Sequence, residues 1–175
     1  MTIFGDTSGD LGGIRHAAGQ EILSRDPFDL TIVGDSRTLL DTAVGGNDKL
    51  AGPGTFGIGP STVIGDAFTI TDLARGGNDE VSGTTGFGDA LTLSGFARGG
   101  NDTVSTGDLP RVNSFAYGDA RAITEHARGG DDVVNAGGIV GNAYGDAETM
   151  SGSAIGGNDT VTGGGYVARF TATRQ

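Results

Sequence analysis

Large apolar residues are thinly spread along this chain and recur at fixed places, set off by glycine and aspartate. Five segments align without gaps: GDSRTLLDTAVGGNDKLAG, GDAFTITDLARGGNDEVSG, GDALTLSGFARGGNDTVST, GDARAITEHARGGDDVVNA and GDAETMSGSAIGGNDTVTG. Down the columns, an apolar or aromatic residue precedes the first glycine (Val33, Ile64, Phe87, Tyr117, Tyr144). A small one follows the aspartate (Ser36, Ala67, Ala90, Ala120, Ala147). Leu39, Ile70, Leu93, Ile123 and Met150 form a third column, and Ala43, Ala74, Ala97, Ala127 and Ala154 a fourth. Leu50, Val81, Val104, Val134 and Val161 form a fifth. The apolar stretches are short and often β-branched, and none keeps the 3.6-residue spacing of a helix. The pattern predicts short strands separated by glycine corners, where positive φ carries little steric cost.

The second glycine motif begins eleven residues after the first glycine in all five copies, whereas the copies themselves are 31, 23, 30 and 27 residues apart. All the variation falls after GGND, in stretches such as AGPGTFGIGPST and TGDLPRVNS. A fixed half and a variable half are the mark of a solenoid whose insertions bulge from one side. A single copy cannot bury its apolar columns; copies stacked about 4.8 Å apart can. The expected fold is all-β, a right-handed parallel β-solenoid of the β-roll or β-helix kind with five to six rungs. Residues 34–163 form the five-repeat body. Residues 1–33 read as an N-terminal cap with a decayed first rung, because Phe4-Gly5-Asp6 has no GGND after it, and AAGQEIL (17–23) reads as a short capping helix. Residues 164–175 read as a closing strand or tail.

Composition sharpens this. The 175 residues include 35 glycines and no cysteine or tryptophan, so the core is thin and no disulfide framework exists. Acidic residues outnumber basic ones 22 to 11, a net charge of −11. That balance argues against nucleic acid, which is bound by clustered Lys and Arg, and favours a polycation or metal cations. No apolar run approaches the roughly 20 residues of a membrane span. The opening MTIFGDTSGD lacks the charged and apolar regions of a secretory signal, which fits a cytosolic protein or export by another route.

Stacking aligns the aspartates as it aligns the apolar residues. Asp35, Asp66, Asp89, Asp119 and Asp146 make one ladder, and Asp48, Asp79, Asp102, Asp132 and Asp159 another. Two unit charges about 5 Å apart repel by roughly 1 kcal/mol in water and about 3 at an effective dielectric of 20. Without these ten, twelve acidic residues face eleven basic ones, so the acidic excess resides in the repeat itself. Divalent cations between rungs would remove the repulsion. Carboxylates with glycine-turn carbonyls are hard oxygen donors suited to Ca²⁺ and its loose coordination, less so to Mg²⁺. Zinc is disfavoured, with no cysteine and only His16 and His126.

The motifs GGNDKLA (45–51), GGNDEVS (76–82), GGNDTVS (99–105) and GGNDTVT (156–162) resemble the second half of the hemolysin-type, or RTX, calcium-binding nonapeptide GGxGxDxUx. The resemblance covers residues 34–163. It implies that Asp48, Asp79, Asp102, Asp132 and Asp159 bind Ca²⁺ between turns of a parallel β-roll, helped by carbonyls of glycines such as Gly76 and Gly77. It also implies an extracellular or cell-surface protein exported without a cleaved N-terminal signal. The chain departs from the family pattern in three ways: one motif per long repeat rather than tandem copies, Ala-Arg or Ala-Val before it, and a Gly-Asp-Ala corner foreign to the nonapeptide. Calcium at Asp35, Asp66, Asp89, Asp119 and Asp146 therefore follows from charge alone.

Other readings are weaker. Asn-Asp-Thr at 101–103 and 158–160 is a glycosylation sequon already explained by the repeat. Gly34-Asp35-Ser36 resembles an esterase nucleophile motif, but Ser36 aligns with alanine elsewhere and lacks an Asp-x-x-His partner. His126 reads as a surface or partly buried residue. Thr38, Thr69, Thr92 and Thr149, with Thr71, Ser94, Thr124 and Ser151 two residues on in their columns, would face outward as on an ice-binding solenoid, interrupted by Ala122 and Leu40. The expected function is calcium-dependent folding of an exported structural or adhesive module with no enzymatic role. The alternatives are an ice-binding solenoid or a non-catalytic accessory module of a secreted enzyme.

Overall fold

The computed structural model describes residues 1–26, 30–56, 59–107, 112–138, 140–163 and 167–171. Among these the regular structure is all β, apart from a single 3₁₀ turn at Pro53–Phe56, and no helix is long and apolar enough to cross a membrane. The chain is a three-sided parallel β-solenoid. The first sheet stacks Thr2–Phe4, Leu30–Val33, Ser61–Ile64, Thr85–Phe87, Asn113–Tyr117, Val140–Tyr144 and Val167–Thr171. The second stacks Asp10–Leu11, Ser36–Leu39, Ala67–Ile70, Ala90–Leu93, Ala120–Ile123 and Ala147–Met150. The third stacks Glu21–Leu23, Lys49–Ala51, Glu80–Gly83, Thr103–Thr106, Val133–Ala136 and Thr160–Gly163.

Register places like on like. Leu39, Ile70, Leu93, Ile123 and Met150 pair in succession, as do Leu50, Val81, Val104, Val134 and Val161. Two inner clusters result. One joins the Leu39 column to the alanines from Ala43 to Ala154. The other joins first-sheet residues such as Leu30, Ile32 and Val63 to the Leu50 column. A third cluster holds Val33, Ile64, Phe87 and Tyr117, which strand alternation turns away from Ile32 and its neighbours. There Phe87, Tyr117 and Tyr144 stack nearly parallel, 4.6 and 4.8 Å apart, which is the rung spacing itself.

The N-terminal segment differs from its expected form. Residues 17–23 hold no helix; Glu21–Leu23 is a strand paired in parallel with Lys49–Ala51, and with Thr2–Phe4 and Asp10–Leu11 it completes a full rung. A helix of one or two turns is marginal by itself, whereas the neighbouring strand offers an open row of donors and acceptors. At the other end Val167–Thr171 pairs in parallel with Val140–Tyr144, a closing strand as read from the tail. Parts of both long insertions, at 57–58 and 108–111, lie outside the described residues.

Leu93 is fully buried, and Leu73 stands 59% exposed at the neighbouring turn. Leu93→Ala should cost about 3 kcal/mol through lost contacts and a residual cavity, while Leu73→Ala should stay within about 0.5. Urea midpoints of the two variants check the assignment.

Candidate metal centre

Each rung passes from one inner cluster to the other at its Gly-Asp corner and returns at its GGND corner. Both crossings carry an aspartate turned inward. Asp35, Asp66, Asp89, Asp119 and Asp146 have no accessible surface, Asp48, Asp79, Asp102 and Asp132 are at most 3% exposed, and Asp159 is partly buried. The ten residues singled out from the repeat thus form two adjacent columns inside the solenoid, a polar spine between two apolar ones.

The backbone accounts for one oxygen of most carboxylates. In the first column, N–H groups of the second glycine of GGND donate within the same rung: Gly46 to Asp35 (2.9 Å), Gly77 to Asp66 (2.9 Å), Gly100 to Asp89 (2.8 Å) and Gly130 to Asp119 (2.7 Å). In the second column, donors come from the preceding rung: Asp48 N–H to Asp79 (2.7 Å), Asp79 N–H to Asp102 (2.7 Å) and Asp102 N–H to Asp132 (2.8 Å). The asparagines run the other way, Asn78 N–H donating to Asn47 and Asn101 N–H to Asn78, on the exposed side of the corner. Both acidic positions therefore have a structural task in holding rungs together.

Many of the remaining oxygens have no donor. Asp35 Oδ1 and the Oδ2 atoms of Asp48, Asp79, Asp89, Asp102, Asp119, Asp132 and Asp159 are buried without a hydrogen-bond partner. Carboxylates also lie within hydrogen-bonding reach of one another, Asp35 with Asp48 and Asp66, and Asp89 with Asp66 and Asp119. Burial pushes the carboxyls up, Asp35 and Asp89 to about 6, Asp48 to about 7 and Asp132 to about 9. Asp66, Asp79, Asp102 and Asp119 rise too, again through burial first; like charges add to it, as Asp79 does for Asp66 and Asp89 for Asp102.

The glycines fit this spine tightly. A Cβ on Gly65 or Gly88 would collide with Asp79 Oδ2 or Asp102 Oδ2, and one on Gly77, Gly100 or Gly130 with the carbonyl of the equivalent glycine one rung earlier. Carboxylate and carbonyl oxygens thus share one narrow column. Among the described residues no group of three or more His, Cys, Asp or Glu side chains converges into a metal cluster. Any cation here would have to complete its shell from main-chain carbonyls beside the carboxylates.

The first rung shows a different solution. There Gln20 stands at the register position of Asp48, and its amide donates to Asp6 Oδ1 at 2.9 Å. Ala18 N–H donates to Asp6 Oδ2 (2.8 Å) where other rungs use glycine. Alanine is tolerated at this position because no earlier rung among the described residues presses a carbonyl against it. The Gln20 substitution was visible in the sequence only once the missing GGND was aligned as Ala17-Ala18-Gly19-Gln20.

Other singled-out residues carry less. Ser36 is buried and its hydroxyl donates to the Thr38 carbonyl, so it is not presented as a nucleophile. The Thr38 and Thr71 columns are partly exposed on either side of the buried Leu39 column. His126 is exposed and stacks on Phe96, with centroids 4.9 Å apart. Searches among known proteins found no matching family profile, no matching curated protein and no matching solved structure.

Two outcomes follow. Gly100→Ala should destabilise by about 3 kcal/mol through overpacking against backbone, while Ala18→Gly should cost under about 1. In chelator, the raised carboxyls mean the folded state holds protons that the unfolded chain releases. That contribution to stability is complete below about pH 4, the unfolded value, and is lost as pH rises through 6 to 9. Metal-free urea midpoints should therefore fall from acid toward alkaline pH; a rise over that interval contradicts the burial.

Proposed function

We propose that the twin aspartate columns form a cation spine and that calcium, held between rungs, couples folding of the chain to calcium. The observation that supports this most is the contrast between the first rung and the rest. Where Gln20 faces Asp6, an amide N–H meets the carboxylate. Where aspartate faces aspartate, buried oxygens meet with no donor between them. An ion or a proton must occupy that place, and a row of carboxylates beside glycine carbonyls suits a large divalent ion with irregular oxygen coordination. Ligand that binds only the folded state adds directly to its stability.

In this reading the chain is a module of an exported structural or adhesive protein, ordered where calcium is plentiful and loosened where it is scarce. The exported setting rests on the resemblance of the GGND motifs to RTX repeats. The main-chain ladders make the rungs, and the ion makes their acidic spine tolerable.

The test is circular dichroism and thermal melting during a calcium titration, with chelator reversal, beside equilibrium dialysis to count ions. Calcium should raise the melting temperature by 10 °C or more, about 2–4 kcal/mol of linkage. Asp102→Asn keeps the oxygen that accepts from Asp79 N–H and places a donor where Oδ2 stands alone. It should stabilise the protein in chelator and shrink the calcium response. Equal β-content and melting temperature with and without the ion would leave protons as the counter-charge and remove calcium from the account.

A further inference from the structure

Outside the spine, the turn that links the second sheet to the GGND corner carries three exposed columns side by side. The first holds Asp41, Asp72 and Glu125, the second Leu73, Phe96 and His126, and the third Arg75, Arg98 and Arg128. Consecutive parallel bridges set the arginines one rung apart. Asp41, Asp72 and Glu125 have positive φ (59°, 60° and 62°), as do Gly13, Gly95 and Gly152 at the equivalent place in other rungs. Each acid accepts from an N–H of the preceding rung: Asp41 from Gly13 (3.0 Å), Asp72 from Asp41 (3.2 Å) and Glu125 from Gly95 (2.8 Å). Among the described residues ion pairs join Lys49 to Glu80 and Arg121 to Glu148, and none engages these arginines. Leu73 is 59% and Phe96 60% exposed, and Phe96 stacks on His126 at 4.9 Å, which makes the middle column a ridge. Between this ridge and the arginines runs a shallow open groove of about 710 Å³.

We propose that this face pairs two copies of the chain, side by side and parallel, about a two-fold axis that runs along the solenoid. The inference does not rest on the calcium reading. Across the face the columns run in one order, acid, apolar, arginine, and that order selects the occupant. A polyanion laid on the arginines would lie beside Asp72 and Glu125, and a polycation laid on those acids would lie beside the arginines. A surface with the same three columns in reverse order meets each of them favourably. A two-fold rotation about the solenoid direction makes that reversal from a second copy of the same face. A two-fold axis across the columns would instead set arginine on arginine.

In that pairing the rung heights match, so each rung faces itself. Arg75 of each copy meets Asp72 of the other, and Arg128 meets Glu125, four pairs in which a guanidinium fork can take a carboxylate. Arg98 faces Gly95, where no side chain stands in its way. The ridge of one copy lies in the groove of the other, Leu73 beside Leu73 and Phe96 beside Phe96, so apolar contact runs down the middle with charge pairs at both rims. Ten of the 22 acidic residues belong to the spine and not to this face. Six rungs about 4.8 Å apart give a contact about 25 Å long and a few side chains wide. A contact of that size is at the low end for specific association, with a dissociation constant on the order of 10 µM.

The experiment is sedimentation equilibrium of the full chain at fixed calcium, from about 2 to 200 µM, which brackets that constant. A monomer–dimer equilibrium that stops at the dimer and weakens with salt is expected. Arg75→Ala and Arg128→Ala should each weaken it about tenfold, because each substitution removes two pairs at once. Phe96→Ser should weaken it as much, and Arg37→Ala, on another side of the solenoid, should leave it unchanged. Circular dichroism confirms that each variant is folded. The chain has no cysteine, so Leu73→Cys reads the orientation. Parallel pairing brings the two copies of position 73 together, and mild oxidation should give a covalent dimer; antiparallel pairing centred on Phe96 holds them two rungs from register. A monomer at every concentration, a mass that keeps growing, no covalent dimer from Leu73→Cys, or an unweakened dimer in folded Arg75→Ala and Arg128→Ala overturns the proposal.

Discussion

In-register parallel stacking is the constraint on which the rest of this molecule depends. Once rungs pair residue for equivalent residue, every side chain sees its own kind one rung above and below. Aliphatic columns gain from this directly, and so do the aromatic rings of Phe87, Tyr117 and Tyr144, which lie almost parallel at the rung distance. Charged columns lose by it. The same geometry that makes a thin core continuous makes an acidic column a line of neighbouring charges, and burial between two apolar clusters raises that cost.

Polar satisfaction divides along the same line. The main chain reaches one oxygen of most carboxylates, using the glycine amides of the GGND corner within a rung and the aspartate amides between rungs. Glycine is needed there because carbonyl and carboxylate oxygens occupy the space a side chain would fill. For most of them the second oxygen meets no backbone donor. Gln20 resolves this in the first rung with a neutral amide, and its absence from the later rungs is what makes a counter-ion the economical reading of the spine.

The exposed side of the stack obeys the same rule in the opposite charge. Arg75, Arg98 and Arg128 are spaced by the rungs, and water screens them where it cannot reach the aspartates. A solenoid is in this sense a device for turning one residue in a repeat into a periodic line.

The columns were legible in the chain because the eleven-residue offset fixes which residues stack, whatever the loops do. The buried aliphatic columns and the alignment of each aspartate set followed from that offset, and strand identity from the short β-branched stretches between glycine corners. Three things required the folded molecule. The number of faces depends on how sharply each corner turns, and no column records that angle. Glu21–Leu23 became a strand because the neighbouring rung supplies its hydrogen bonds, which local sequence does not carry. The aspartates point inward, rather than along the surface of the corners, because both chain crossings bring their side chains between the two apolar clusters. Sequence spacing determines what lies above what; only closure of the rung decides what lies inside.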